Sequence, residues 1–177
     1  MPRTDRLSDG AVKLLKEKQI AIISTLMPDG SIQSTPVWVD AEEDGSHVLI
    51  NTVATHLKAN NLARDPRVSV AVVDSQNSWR TVMVRGVIEE TLGPDRGSTD
   101  HIHKMAQKYM GRDQYPLREG EQRVILRIKP THVMERGTEG ERTGNRWGGT
   151  VDVSGGLAQI RGNGALRLGM LTLTGLT

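Results

Sequence analysis

Residues 49–69 read LINTVATHLKANNLARDPRVS, and the order of residue types in this stretch decides the kind of chain. Val48, Leu49 and Ile50 form a β-favouring run that stops at the polar pair Asn51-Thr52. Thr55 suits the N-cap of a short helix, which places His56, Leu57 and Lys58 in its first turn. There the backbone N–H groups lack internal partners and the helix dipole is positive, so a phosphate would fit. Leu57, Leu62 and Ala63 recur near helical spacing, Pro66 ends the helix at Arg64-Asp65, and Val68, Val70 and Val72 alternate as the next strand. The segment predicts a strand, a tight turn, a helix and a second strand. Lys58 has no helix-building task that alanine could not perform, so it is either a solvated surface lysine or an anion ligand.

Working outward, Ser8 can cap a helix over 8–18 with Val12, Leu14 and Leu15 on its apolar face. Residues 20–26 and 32–40 are β-rich arms around the turn Pro28-Asp29-Gly30-Ser31. A second turn at Glu42-Glu43-Asp44-Gly45 leads into a strand over 47–51. Strands follow at about 67–74, 81–91 and 123–134, interrupted by one long helix over 98–110 that stops at Gly111. Short strands with turn signals every ten residues or so predict a mainly β fold, a β-barrel with a few helices, rather than a parallel α/β sheet.

Composition bounds the function. A chain of 177 residues suits a single domain of about 140 residues with appendages. The split expected here is 1–137 for the barrel with its N-terminal helix and 138–177 for an extension. That extension holds ten of the 19 glycines, has no lysine or proline, and matches no compact element, so it is expected to be poorly ordered. The absence of cysteine excludes disulfides, Cys-based metal sites and thiol catalysis, and fits a cytoplasmic protein. No apolar run approaches the roughly 20 residues of a membrane-spanning helix. The 23 basic and 21 acidic side chains nearly balance, which is no nucleic-acid signature. Without phenylalanine the core must be aliphatic, and Trp38, Trp79, Tyr109 and Tyr115 are each either a core plug or a wall of a ligand site.

Three motifs are set aside. Gly162-Asn163-Gly164 followed by Gly169 hints at a dinucleotide fingerprint, but the third glycine is misplaced and no βαβ unit can follow. His101 and His103 lie two apart on a helix, cannot share a metal, and are expected to be solvated. Ser24, Ser34 and Ser69 sit on strands without a nucleophile elbow, which argues against hydrolysis.

From Ser24 to about Gly137 the ordered pieces Ser24-Thr25-Leu26, Ser34-Thr35-Pro36-Val37-Trp38, Ile50-Asn51-Thr52, Lys58, Asn61 to Val68, Val84-Arg85-Gly86, Lys108 to Asp113 and Arg123 to Pro130 stand in a recognisable order. In that order and spacing the chain resembles the pyridoxamine-phosphate-oxidase-like, FMN-binding split β-barrel superfamily, and within it the deazaflavin (coenzyme F420)-dependent oxidoreductases. The resemblance implies that Lys58 binds the cofactor phosphate with Thr52 and Asn51 beside it. It also implies that Thr35, Pro36, Val37 and Trp38 line the ring, and that His56, Asn61 and Trp79 complete the site. The flavin-mononucleotide oxidases of the superfamily carry arginines where this chain has Leu57 and Thr35, which favours the deazaflavin branch over flavin mononucleotide (FMN). The implied activity is hydride transfer between F420 and a small unsaturated or quinone-like molecule, with no side-chain nucleophile and with the site between the subunits of a homodimer. Arg64, Arg67, Lys13 and Lys16 are candidates to attract the polyglutamate tail of F420. An FMN-dependent oxidase or reductase is the alternative. A haem- or tetrapyrrole-binding protein is the second, with His47, His56, His101, His103 and His132 as available ligands.

Overall fold

The computed structural model describes residues 5–138, together with Val151-Asp152 and Gln159-Ile160. The chain divides into two units, 1–141 and 142–177. In the second, Val151-Asp152 pairs antiparallel with Gln159-Ile160. The expectation of a poorly ordered extension otherwise lies outside the described residues. Thr138, which that expectation assigned to the extension, is buried and donates from Oγ1 to Glu135.

The first unit begins with α1 (Asp9–Lys16), where Ser8 accepts the Ala11 N–H at 3.1 Å as the N-cap. The helix stops at Lys16 rather than Lys18 because Glu17 is already extended. Seven strands follow: β1 (Ile20–Leu26), β2 (Ile32–Trp38), β3 (Asp40–Ala41), β4 (Val48–Val53), β5 (Arg67–Val73), β6 (Thr81–Leu92) and β7 (Arg123–Arg136). Between them lie α2 (Leu57–Arg64), a 3-10 turn at Pro94–Arg96 and α3 (Ser98–Met110). Gly111 closes α3 with φ +67°, the left-handed cap that glycine adopts without a Cβ penalty.

All pairings are antiparallel, in the order β2-β1-β5-β6-β7-β4-β3. The sheet curls into a half-barrel, the split-barrel architecture expected from sequence. Its concave face is aliphatic: Ile23, Val48, Ile50, Val70, Val72, Val84 and Ile128 meet Leu14 and Leu15 of α1. A second apolar cluster lies under α3, where Ile102, Met105 and Tyr109 pack with Trp38 and Tyr115. Among the described residues no helix is long and apolar enough to cross a membrane.

Candidate functional site at the start of the second helix

The turn after β4 tightens one residue later than the sequence predicts. His56, not Thr55, is the N-cap of α2: its N–H donates to the Val53 carbonyl at 3.0 Å, and its own carbonyl accepts from Ala59 and Asn60 at 2.9 and 3.1 Å. The imidazole does not cap the helix and instead meets Thr52 Oγ1 at 3.3 Å. The N–H groups of Leu57 and Lys58 are therefore left without acceptors among the described residues.

Lys58 is half-buried beside these N–H groups. Burial pushes its ammonium pKa below the usual lysine value, and the charge of Arg123 pushes it the same way. No carboxylate pairs with Lys58 among the described residues. Burial likewise lowers His56, with the charges of Lys58 and Arg123 adding to the effect and Glu121 opposing it. Arg123 stands opposite Val53 in the β4–β7 ladder, buried, with Nε 2.7 Å from Glu121 Oε1 and its guanidinium 4.4 Å from the Tyr115 ring centroid. An uncapped helix start with Lys58 and Arg123 nearby and Glu121 as the local counter-charge carries net positive potential, which is the chemistry of an anion site.

The other expected residues do not all gather there. Thr52 does, buried on the same strand face as Ile50. Asn51 points to the opposite face, where its Nδ2 donates to the Ser98 carbonyl at 2.8 Å and ties β4 to α3. Asn61 is almost fully enclosed, and its amide donates to Thr25 Oγ1 at 3.1 Å, clamping α2 onto β1. Thr35 and Val37 are half-buried and paired with Ile23 and Ala21, whereas Pro36 is exposed on the other face of β2. Trp38 is stacked on Tyr109 with centroids 4.8 Å apart and meets Tyr115 edge-on, so in this chain it serves as a plug. Trp79 sits in the β5–β6 hairpin, 70% exposed, with the Arg136 guanidinium over its ring at 6.0 Å. Trp79 stands beside Arg136 at the end of β7, whereas Lys58 is near Arg123 at its start, so the two lie at opposite ends of that strand. Of the cations expected to attract a polyanion, Arg67 is committed to Asp65, Arg64 to the Leu26 carbonyl and Lys16 to Glu43.

The two helix histidines are not solvated, a correction with a clear cause. His101 lies under α3 with Nε2 3.5 Å from Asp40 Oδ2, and His103 Nδ1 accepts the Tyr115 N–H at 3.0 Å. β3 and β4 meet His101 through Asp40 and Asn51, and the loop after α3 folds back onto His103, neither of which helical periodicity alone reveals. Arg123 was also missed as a contributor to the site, because a lone arginine opening a strand carries no pattern.

A family model described as pyridoxamine 5'-phosphate oxidase matches residues 7–137. An F420 reductase structure is 26% identical, covering 72% of this chain and 98% of its own, with a TM-score of 0.63. A conserved hypothetical protein of Mycobacterium tuberculosis (23% identity, 77% and 89% coverage, TM-score 0.55) and the General Stress Protein 26 of Bacillus anthracis (14%, 73% and 93%, TM-score 0.54) share the fold. No curated protein matches the chain in sequence.

Proposed function

Because the chain belongs to the pyridoxamine 5'-phosphate oxidase family, we propose that it is an oxidoreductase that uses coenzyme F420, with the coenzyme phosphate held at the start of α2. The observation that carries this reading is the uncapped first turn beside Lys58, a half-buried ammonium without a carboxylate partner among the described residues. Such a cradle fits a phosphate, and the likeness to an F420 reductase supports the deazaflavin as its bearer. When bound, the deazaflavin supplies hydride chemistry at its central ring. This chain's residues bind and orient: Lys58 and the N–H groups of Leu57 and Lys58 receive the phosphate, His56 and Thr52 offer polar atoms beside it, and Thr35 and Val37, half-buried on β2, are left to meet the ring. The substrate is a small unsaturated or quinone-like molecule.

The functional unit in this reading is a homodimer formed through the convex sheet face. There Pro36, Ile22, Ala71, Met83 and Met134 stand directly opposite one another across five strands. Ile22, Met83 and Met134 are 39%, 43% and 39% exposed, a continuous apolar row that pairing would cover. Trp79, remote from Lys58 of its own subunit, would reach a site only across such a seam. Fluorescence titration of the protein with F420 and, separately, with FMN tests the cofactor. Preferential binding of F420 is expected; preference for FMN, or binding of neither, would overturn the assignment.

A further inference from the structure

One row nearer α2 on the same convex face, the chemistry changes. Ser34, Ser24, Ser69, Arg85 and His132 stand opposite one another across the five strands, and Arg67 pairs with Val87 beyond them. The ladder breaks here: Arg85 faces His132 while Gly86 faces Pro130, so Thr131 is the extra residue of a β-bulge. Pro130, which could not donate to a regular ladder, is tolerated at that irregularity. Gly86 is required because a Cβ would collide with the Lys129 carbonyl oxygen. The bulge bends β7 and turns Thr131 outward, its Oγ1 donating to the Arg85 carbonyl at 3.1 Å.

The result is an open groove of about 450 Å³, walled by Leu26, Ile32, Val68 and Val87, with Ser24, Ser69 and Thr131 supplying hydroxyls. Its volume and largely aliphatic wall are those of a small-molecule site. Arg67 and Arg85 are the basic residues among those that line it, and no carboxylate does. Arg67 is neutralised by Asp65 through Nε and Nη2, whereas Arg85 is exposed with no acidic partner among the described residues. Ile32, 71% exposed, leaves one wall uncovered.

We propose that this groove is a second ligand site, separate from the Lys58 cradle and from the apolar row of the seam, that binds an amphiphilic organic carboxylate. The aliphatic body lies along Leu26, Ile32 and Val87, and the carboxylate pairs with Arg85, a charge-assisted contact with a fork donor. The test is calorimetric titration with decanoate, with decanol as the uncharged control, on the wild-type protein and on Arg85→Met, Ser69→Leu and Lys58→Ala. Sedimentation is run in parallel. Expected are decanoate binding that decanol does not match, a loss of at least about tenfold in Arg85→Met and in Ser69→Leu, whose side chain fills the groove, and no change in Lys58→Ala. Equal binding of decanol, unchanged affinity in Arg85→Met, or no binding at all would overturn the proposal. So would a change of oligomeric state in Arg85→Met, which would assign Arg85 to the subunit contact instead.

Discussion

A half-buried ammonium without a counter-ion is costly, and among the described residues Lys58 has no carboxylate partner at a helix start where the N–H groups of Leu57 and Lys58 have no acceptor. The neighbouring polar residues are committed differently. Asn61 and Thr25 satisfy each other in the interior, so Asn61→Ala should lower unfolding free energy by about 1–3 kcal/mol, measured by denaturant titration, because Thr25 then keeps a buried hydroxyl with one partner fewer. Glu42 shows the acid limit of the fold. Arg127 hydrogen-bonds both its oxygens, at 2.7 and 3.2 Å, and this contact, with help from Ser46 and His47, outweighs partial burial and holds the carboxyl at about 2 against an ordinary 4.5. A folded-state pKa below the unfolded value stabilises above the unfolded value and is lost as pH falls through the folded one. The contribution of Glu42 to stability should therefore be complete above about pH 5 and be lost between pH 4.5 and about 2, by roughly 3 kcal/mol at most. Arg127→Met should flatten that part of the profile; an unchanged profile would remove Glu42 from the explanation.

At the scale of elements, the apolar spacing of Val68, Val70 and Val72, the glycine stop of α3 and the proline stop of α2 were legible because each rests on local stereochemistry. The position of the α2 cap was not, since Thr55 and His56 compete and the hydrogen bond from His56 N–H to Val53 decides between them. Nor was the separation of Asn51 from Thr52. Adjacent strand residues point to opposite faces, and only the docking of α3 shows that Asn51 meets Ser98. The bulge at Thr131 was equally hidden, because it depends on pairing between strands rather than on either sequence alone. Two glycine substitutions separate these causes. Gly111→Ala meets open space and should cost only the φ penalty, about 1 kcal/mol, whereas Gly86→Ala collides with backbone and should cost about 3 kcal/mol or more. Thermal denaturation of the two variants side by side ranks them.

For the whole molecule, the barrel could be read from the order of strands and turns, but what its convex face does could not. Ile22, Met83 and Met134 are all exposed, but only the register aligns them in one row. If that row is the seam, the protein sediments as a dimer, and Met83→Glu yields a folded monomer with unchanged far-UV circular dichroism. A wild-type monomer at micromolar concentration would contradict this arrangement and, with it, the contribution of Trp79 to a site. The proposed cofactor site, in which the start of α2 and Lys58 hold the phosphate of a deazaflavin, makes a narrower prediction. Its most direct test is calorimetric titration of the wild-type protein and Lys58→Ala with F420 and with the phosphate-free deazaflavin nucleoside. Wild-type protein should bind F420 at least about tenfold more tightly than the nucleoside, and Lys58→Ala should lose most of that difference while binding the nucleoside unchanged. An equal advantage for F420 in both proteins would place its phosphate and tail away from Lys58 and contradict the site described.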